Sequence, residues 1–473
     1  MTPSSPQGAP PPHTAQPHAG PSLKRDLGLW GAVSIVIGTV IGSGIFLVPK
    51  TMVLRTGSPE MVFAVWIFGG LLTLAGALTY AELAGMYDKS GGEYVYLREA
   101  YGPMFGFLYG WTQMWVAKAG SIATLATAFF YYLANFQPNL QTVFTHLPIP
   151  LGPNWGPLEV SYGQLLAMAV IMGLAVVNYF GVKIGGGVQV AITILKVALI
   201  AVIIVVGLGS PQGSASNLTT SISVTGGVAA FFAALVAALW AYDGWNNVTM
   251  VAGEIRNPER NLPKALTFGT LAVVIIYLLT NLAYFYVLSA QDVSTSDRVA
   301  ATMMDRILGA PGAAAVSIAA MISIFAALNG SILSGSRVPF AMAVDGLFFK
   351  KVATIHPNYH TPSVSILVLS LWSALLVLSG RYEQLFTYVI FASWILYAMA
   401  TASVIVLRRK RPDLPRPYKT IGYPIVPILF VLVAGALILS TLADSPRESI
   451  LGLGLIFAGL PFYFYWKGRR ISA

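Results

Sequence analysis

The chain contains no cysteine and very little charge. Of its 473 residues, 28 are Lys or Arg and 18 are Asp or Glu, so charged residues make up 10%, whereas soluble domains carry roughly 25%. The missing cysteines exclude disulfides, thiolate metal sites and cysteine nucleophiles. The shortage of charge excludes an ordinary soluble enzyme, a disordered chain and a nucleic-acid-binding protein, despite the net charge of +10.

Apolar residues dominate the composition instead. They make up 56% of the chain, and the mean hydropathy is +0.71. About twelve apolar stretches are long enough to cross a membrane as helices, which takes ~20 residues each. The alternating segments of a β-barrel are missing from them. The sequence therefore predicts an all-α polytopic membrane protein. Its predicted spans are 28–54, 61–86, 101–135, 161–180, 187–208, 226–253, 265–290, 312–344, 362–379, 383–407, 422–441 and 447–466.

The segments outside these spans predict a tail and an orientation. Residues 1–22 contain seven prolines and no apolar run, which predicts a disordered tail. If the N-terminus is cytoplasmic, 19 Lys and Arg lie inside, 6 lie outside and 3 lie within spans. The positive-inside rule then predicts a multi-pass protein of the cell inner (plasma) membrane with both termini cytoplasmic.

Two predicted spans contain residues that interrupt helices. The first includes Gly42-Ser43-Gly44 near mid-depth, and the sixth includes Asp243-Gly244 followed by Asn246 and Asn247. Close packing through small residues is the alternative for the first, and a structural hydrogen bond is the alternative for Asp243. Broken helices at corresponding places in two five-helix halves are typical of inverted-repeat transporters. Freed N–H groups there suit a carboxylate and freed carbonyls suit a cation, so an amino acid is the simplest matching solute.

These motifs resemble those of the amino acid–polyamine–organocation (APC) superfamily, and in particular its L-type amino acid transporter branch with the bacterial serine/threonine exchangers. The resemblance runs from about residue 25 to the C-terminus. It is carried by Gly42–Phe46, Trp240–Asn247, Gly253–Pro263, Leu328–Ser331, Ser336-Arg337, His356-Pro357 and Thr361-Pro362.

The resemblance implies a LeuT-type fold with helices 1 and 6 broken. One transporter domain would span residues 23–467. It would contain a first five-helix repeat at 23–210, a second at 226–410, and helices 11 and 12 at 420–467.

The resemblance also implies a substrate site at the two breaks. Backbone amides would bind the carboxylate, carbonyls of both breaks would bind the ammonium, Trp240 would cover the substrate, and Asn246 would lie close to it. The amides are those of Ser43, Gly44 and Ile45, and the carbonyls are those of Val40, Ile41, Trp240, Ala241 and Asp243.

Lys196 matches a lysine that replaces the sodium ion of related transporters. It lies about ten residues inside its span, too deep to reach the interface easily, and an ammonium can donate to the carbonyls that sodium would ligate. Transport without sodium is therefore expected. Lys118 matches an arginine-like position in helix three, where a substrate role and pairing with another span both stay open.

The implied function is exchange of neutral L-amino acids by alternating access. A transporter of cationic amino acids or amines is an alternative, because Asp243 could attract a second ammonium or could instead cap the second half-helix. Proton-coupled symport is a further alternative. An ion channel and an enzyme are both disfavoured. The charged groups expected in the membrane are Lys118, Lys196, Asp243, Glu254 and Arg337, which offer no evident nucleophile, metal set or acid–base pair. Glu82 and Glu254 are expected to pair with basic residues such as Arg256.

The expected partners are an amino acid substrate and membrane lipid, without nucleic acid. No cofactor or metal is expected. Eukaryotic relatives attach to a glycoprotein through a disulfide, which this cysteine-free chain cannot form.

Overall fold

The computed structural model describes residues 22–147, 158–379, 382–444 and 446–471. The predicted tail therefore lies outside the described residues except for Ser22, as does Arg381. Helices make up most of the described part. The first half of the chain contains α1 (Leu29–Val40), α2 (Gly44–Thr56), α3 (Pro59–Met86), α4 (Glu93–Tyr101), α5 (Pro103–Thr112), a π-helical turn (Gln113–Ala117), α6 (Lys118–Leu133), β1 (Val143–Leu147), β2 (Leu158–Ser161), α7 (Tyr162–Tyr179) and α8 (Val182–Leu208).

The second half contains helices and no strand among its described residues. It contains α9 (Val228–Tyr242), α10 (Asn247–Met250), α11 (Pro258–Val287), α12 (Ala290–Thr295), α13 (Val299–Leu308), α14 (Ala310–Gly335), α15 (Arg337–Val344), α16 (Ser363–Val377), α17 (Tyr382–Lys410), α18 (Ile425–Asp444), α19 (Pro446–Phe457) and α20 (Gly459–Ile471).

Helices coincide with each of the twelve predicted spans. Within the described ranges, eight helical stretches are long and apolar enough to cross a membrane, and the bent pair α1–α2 makes a ninth. The shorter apolar helices α9 and α16 and the long helix α17 cover the remaining three. Large apolar side chains on these helices face outward, such as Val205 (70% exposed) and Leu439 (67% exposed). Such a surface is stable in lipid and would be costly in water.

The helices pack in pairs that lie five spans apart. Helix α3 packs along α11, α6 along α14 and α7 along α16, while α1 and α2 contact α10 and α9. Each of the first four spans therefore contacts its counterpart in the second group of five. This pairing brings the interruption in the first span against the interruption in the sixth.

The ends of the helices form two separate layers. On the side where Ser22–Gly28 lies, called here the N-terminal side, Leu27 forms a parallel bridge with Ile255 and Arg25 pairs with Asp88. On the opposite side, the Ile222 N–H donates to the Gly57 carbonyl at 2.8 Å.

Several short elements were not predicted from the sequence. The β1–β2 hairpin and helices α12 and α13 lie on the opposite side, and α4 lies between the second and third spans. They have no apolar run of membrane length, so hydropathy alone does not reveal them. The last predicted span is also divided in two, at Ala458.

Candidate substrate site

The first break separates α1 from α2. The two helices meet at an angle of 41°. None of the described backbone hydrogen bonds uses the N–H groups of Gly42, Ser43, Gly44 or Ile45. The first N–H groups of a helix lack intrahelical acceptors and carry the positive end of the helix dipole. The start of α2 can therefore bind an anion such as a carboxylate.

The second break separates α9 from the single turn α10. Gly244 has φ = +103°, a conformation that glycine adopts without strain. The Thr39 hydroxyl at the end of α1 donates to the Gly244 carbonyl at 2.8 Å. This bond fastens one break directly to the other.

The two breaks also touch through their backbones. A methyl group on Gly44 would lie 2.7 Å from Ala241 Cα, and one on Gly244 would lie 3.2 Å from Thr39. Side chains at these glycines would separate the breaks. The glycines that the sequence marks as helix breakers therefore also allow close contact.

A cavity of about 30 Å³ lies between the breaks, with room for roughly two or three water-sized groups. Val40, Ser43 and Gly44 of the first break line it, together with Trp240, Ala241 and Asp243 of the second. The other lining residues are Thr39, Gly42, Ser121, Leu125, Gly244, Asn247 and Ser331. Six of the nine residues predicted to bind substrate thus surround one cavity, and Ile41, Ile45 and Asn246 do not line it.

Tyr277 of α11 links the two sets of carbonyls. Its hydroxyl lies 3.0 Å from the Val40 carbonyl oxygen and 2.7 Å from that of Ala241. A carbonyl oxygen can accept two hydrogen bonds, so each retains capacity for an ammonium. Sequence reasoning missed Tyr277, because an isolated tyrosine in an apolar span does not show which way its side chain faces.

Lys196 lies on the other side of the first break. It is fully buried, and its Nζ donates to the Gly38 carbonyl at 2.6 Å and to the Ile41 carbonyl at 2.5 Å. Ser323 also donates to the Ile41 oxygen, at 2.9 Å. Two donors fill the capacity of that oxygen, so the structure assigns Ile41 to Lys196 and leaves no acceptor there for a substrate ammonium.

Asp243 binds a tyrosine of α17 rather than the amides of the second half-helix. Its Oδ1 accepts a hydrogen bond from the Tyr397 hydroxyl at 2.9 Å. Among the described hydrogen bonds, no N–H of α10 donates to Asp243, and the residue at the N-cap of α10 is Asn246. The cap of the second half-helix, one of the two roles left open for Asp243, is therefore not present among the described contacts, and the carboxylate faces Tyr397 of α17 instead.

Asn247, and not the predicted Asn246, is the asparagine of the second break that lines the cavity. Asn247 lines the cavity and accepts a hydrogen bond from Lys118 Nζ at 2.7 Å. Asn246 points away and donates to the buried carboxylate of Glu93, which also accepts from the Tyr109 hydroxyl at 2.9 Å. Lys118 thus has a partner in another span, which was one of the two possibilities left open. Glu93 was not predicted, because it lies outside the apolar spans.

Glu254 and Glu82, the two acidic residues expected to pair with basic ones, both form ion pairs on the N-terminal side. Glu254 binds Arg337 through two hydrogen bonds of 2.7 and 2.9 Å, with both side chains fully buried. Glu82 binds Arg408 in the same bidentate way. Both glutamates thus pair with basic residues, as expected. Arg256, the basic residue named as an example of such a partner, lies near Asp26 instead.

Comparison with known proteins places this arrangement among transporters. Residues 27–458 match the amino acid permease family. The chain is 34% identical to a serine/threonine exchanger of Bacillus subtilis, with 95% of this chain and 98% of that protein covered. It is also 34% identical to the mouse b(0,+)-type amino acid transporter 1, over 95% of this chain and 91% of that protein. Identity to the human cystine/glutamate transporter is 32%, over 93% and 85% of the two chains.

These matches cover both breaks and every helix that contributes to the cavity. They confirm the resemblance inferred from the sequence. Together with the helices described above, they confirm the predicted fold class, a nearly all-helical multi-pass membrane protein, in which helices 1 and 6 are broken. The chain belongs to the amino acid permease family of the APC superfamily.

Proposed function

We propose that this protein is a sodium-independent exchanger of small neutral L-amino acids. The single observation that carries the proposal is the cavity between the breaks. Residues with unpaired N–H groups at the start of α2 line it, as do Val40 and Ala241, whose carbonyl oxygens bind Tyr277. A carboxylate and an ammonium on one carbon atom fit these two sets of groups at once.

The cavity favours a small substrate side chain. Its volume of about 30 Å³ leaves little room beyond the zwitterion itself. Ser43, Ser121 and Ser331 line it, and none of their hydroxyls takes part in a described hydrogen bond. Free hydroxyls suit a short polar side chain such as that of serine, and one similar protein is named a serine/threonine exchanger.

Sodium independence follows from Lys196. Its ammonium already donates to the Gly38 and Ile41 carbonyls, so a sodium ion there would compete with a fixed positive charge.

Release of the substrate toward the N-terminal side would require the contacts of Leu27 with Ile255 and of Arg337 with Glu254 to separate. This fits alternating access, in which helices around a fixed site rearrange. We place the protein in the cell inner membrane with both termini cytoplasmic, on the lysine and arginine distribution.

Uptake of labelled L-serine into proteoliposomes tests the function. Vesicles loaded with unlabelled serine should take up label at least about tenfold faster than empty vesicles, because exchange needs a substrate on each side. Replacing sodium by choline should leave the rate unchanged. Equal rates into empty and loaded vesicles would exclude obligatory exchange, and faster uptake on acidifying the outside would favour proton symport.

A cationic substrate is the second candidate, favoured by the Asp243 carboxylate in the cavity wall. Tyr397 is its described hydrogen-bond partner, which leaves capacity for a second ammonium. Asp243→Asn separates the candidates, because it removes the charge and keeps the shape. Selective loss of lysine or arginine uptake would support the cationic substrate. Loss of serine uptake as well would show that Asp243 acts through Tyr397 for every substrate.

A further inference from the structure

Two buried charged residues contact the second break without lining the cavity. Glu93 is fully buried at the start of α4, and Lys118 is 4% exposed at the start of α6. Each binds one of two consecutive asparagines: Glu93 accepts from Asn246, and Lys118 donates to Asn247. A buried charge is tolerated only where polar partners and an opposite charge compensate for lost water.

The fold makes specific room for the side chain of Lys118. A methyl group on Gly335 of α14 would lie 2.4 Å from Lys118 Cγ and 2.9 Å from its Cδ. The aliphatic part of the lysine therefore runs through space that exists only because residue 335 is glycine. The π-helical turn Gln113–Ala117 directly precedes Lys118, and such turns shift the facing of the residues that follow them.

The segment that carries Glu93 is attached to the second half-helix. The Gly91 N–H donates to the Met250 carbonyl at 2.8 Å. Gly92 has φ = +55°, and a methyl group there would lie 2.6 Å from Thr249 Oγ1. The chain before Glu93 thus lies directly against α10, and the Glu93–Asn246 bond continues this contact to the break itself.

We propose that Glu93 and Lys118 are a pair of positioning residues that hold the second break through its two consecutive asparagines and so direct Asn247 into the substrate cavity. Glu93 fixes Asn246, and Lys118 fixes Asn247, the next residue along the chain. When both hydrogen bonds are present, the short segment between α9 and α10 has one conformation. When either hydrogen bond is removed, the asparagine that lines the cavity is free to turn away from the substrate. The inference rests on the proposed exchange function.

The test is a double-mutant cycle on serine exchange. Glu93→Met and Lys118→Met each remove the group that binds an asparagine at nearly constant volume, and each should raise the KM for serine by about tenfold while the maximal rate stays within about twofold. The double variant should have a KM close to that of the worse single variant, because the break is already released once either hydrogen bond is gone. Glu259→Met and Lys183→Met, at exposed residues, should keep the wild-type KM.

Three results would overturn the proposal. One is a wild-type KM in either single variant. Another is a double variant whose KM rises by the product of the two single effects, since the residues would then act independently. The third is a fall in maximal rate at unchanged KM, which marks less folded transporter rather than a misplaced asparagine.

Two further measurements keep the test independent of folding and of the proposed function. Gly335→Ala leaves both charges in place but crowds the lysine stem, so it should raise the KM as Lys118→Met does. A wild-type protein that does not exchange serine would refute the proposed function instead. In that case the same cycle on the thermal midpoint of detergent-purified protein still tests the coupling, and additive shifts would refute it.

Discussion

At the scale of single residues, a few buried polar side chains control the site. Lys196, Tyr277 and Ser323 all donate to carbonyl oxygens that the first break leaves without intrahelical partners, and Tyr277 also reaches the second break. An unpaired buried carbonyl costs about 1–3 kcal/mol. These donors therefore stabilise an interruption that would otherwise be unfavourable inside a membrane.

Lys196→Met gives the prediction at this scale. It leaves the Gly38 carbonyl without its described donor, so serine exchange should fall at least about tenfold. The measurement is initial exchange rate in proteoliposomes matched for protein content. Lys183→Met on the same helix is the control, because Lys183 is exposed. A Lys196→Met variant with normal exchange would show that this ammonium has no role in transport.

At the scale of helices, the breaks work because their backbones touch. Gly44 of α2 lies against Ala241 of α9, and Thr39 of α1 binds Gly244. The antiparallel crossing of these two interrupted spans places amide groups and carbonyl groups around one cavity. Neither span could form such a site alone.

Gly44→Ala tests this contact. The added methyl group would lie 2.7 Å from Ala241 Cα, so the helices must move apart, and exchange should fall at least about tenfold. Gly173→Ala in α7 is the matched control, since a methyl group there meets no atom within 4 Å. The control should retain exchange and should be slightly more stable, because alanine favours helix. Equal activity of the two variants would contradict a close contact between the breaks.

The sequence predicts these breaks better than it predicts the side chains that surround them. Glycines, an aspartate and asparagines inside apolar runs are visible in the sequence, because each conflicts with its surroundings. Tyr277 and Tyr397 are ordinary residues in apolar spans, and only the rotation of their helices in the structure shows that they face the site. Glu93 lies in a polar segment, where burial is visible only after folding. The sequence left two roles open for Asp243, because a capping contact depends on a local turn that the sequence does not determine.

At the scale of the whole molecule, the scarce charges are divided by depth and by side. The N-terminal side contains most of the lysine and arginine, and several of these residues form pairs that hold the helix ends together, such as Arg408 with Glu82. Two buried residues of opposite charge, Glu93 and Lys118, lie beside the second break instead, where each binds an asparagine. Twelve spans could be predicted from hydropathy alone, whereas the pairing of α3 with α11 and of α6 with α14 depends on the three-dimensional fold.

The lack of cysteine makes the predicted orientation directly measurable. A single introduced cysteine is the only thiol in the protein. Gln212→Cys lies exposed on the opposite side, and Asn358→Cys lies exposed on the N-terminal side. A membrane-impermeant maleimide should label Gln212→Cys in intact cells and Asn358→Cys only after lysis. The reverse pattern would place the termini outside.

The central claim is that one cavity binds both charged groups of an amino acid, each at a different set of backbone groups. Competition with labelled L-serine uptake by analogues that lack one group tests this most directly. L-Serine itself should compete fully, whereas L-serine methyl ester, which lacks the carboxylate, and N-acetyl-L-serine, which lacks the ammonium, should each compete at least about a hundredfold less well. Competition by either analogue as strong as that by serine would contradict the account.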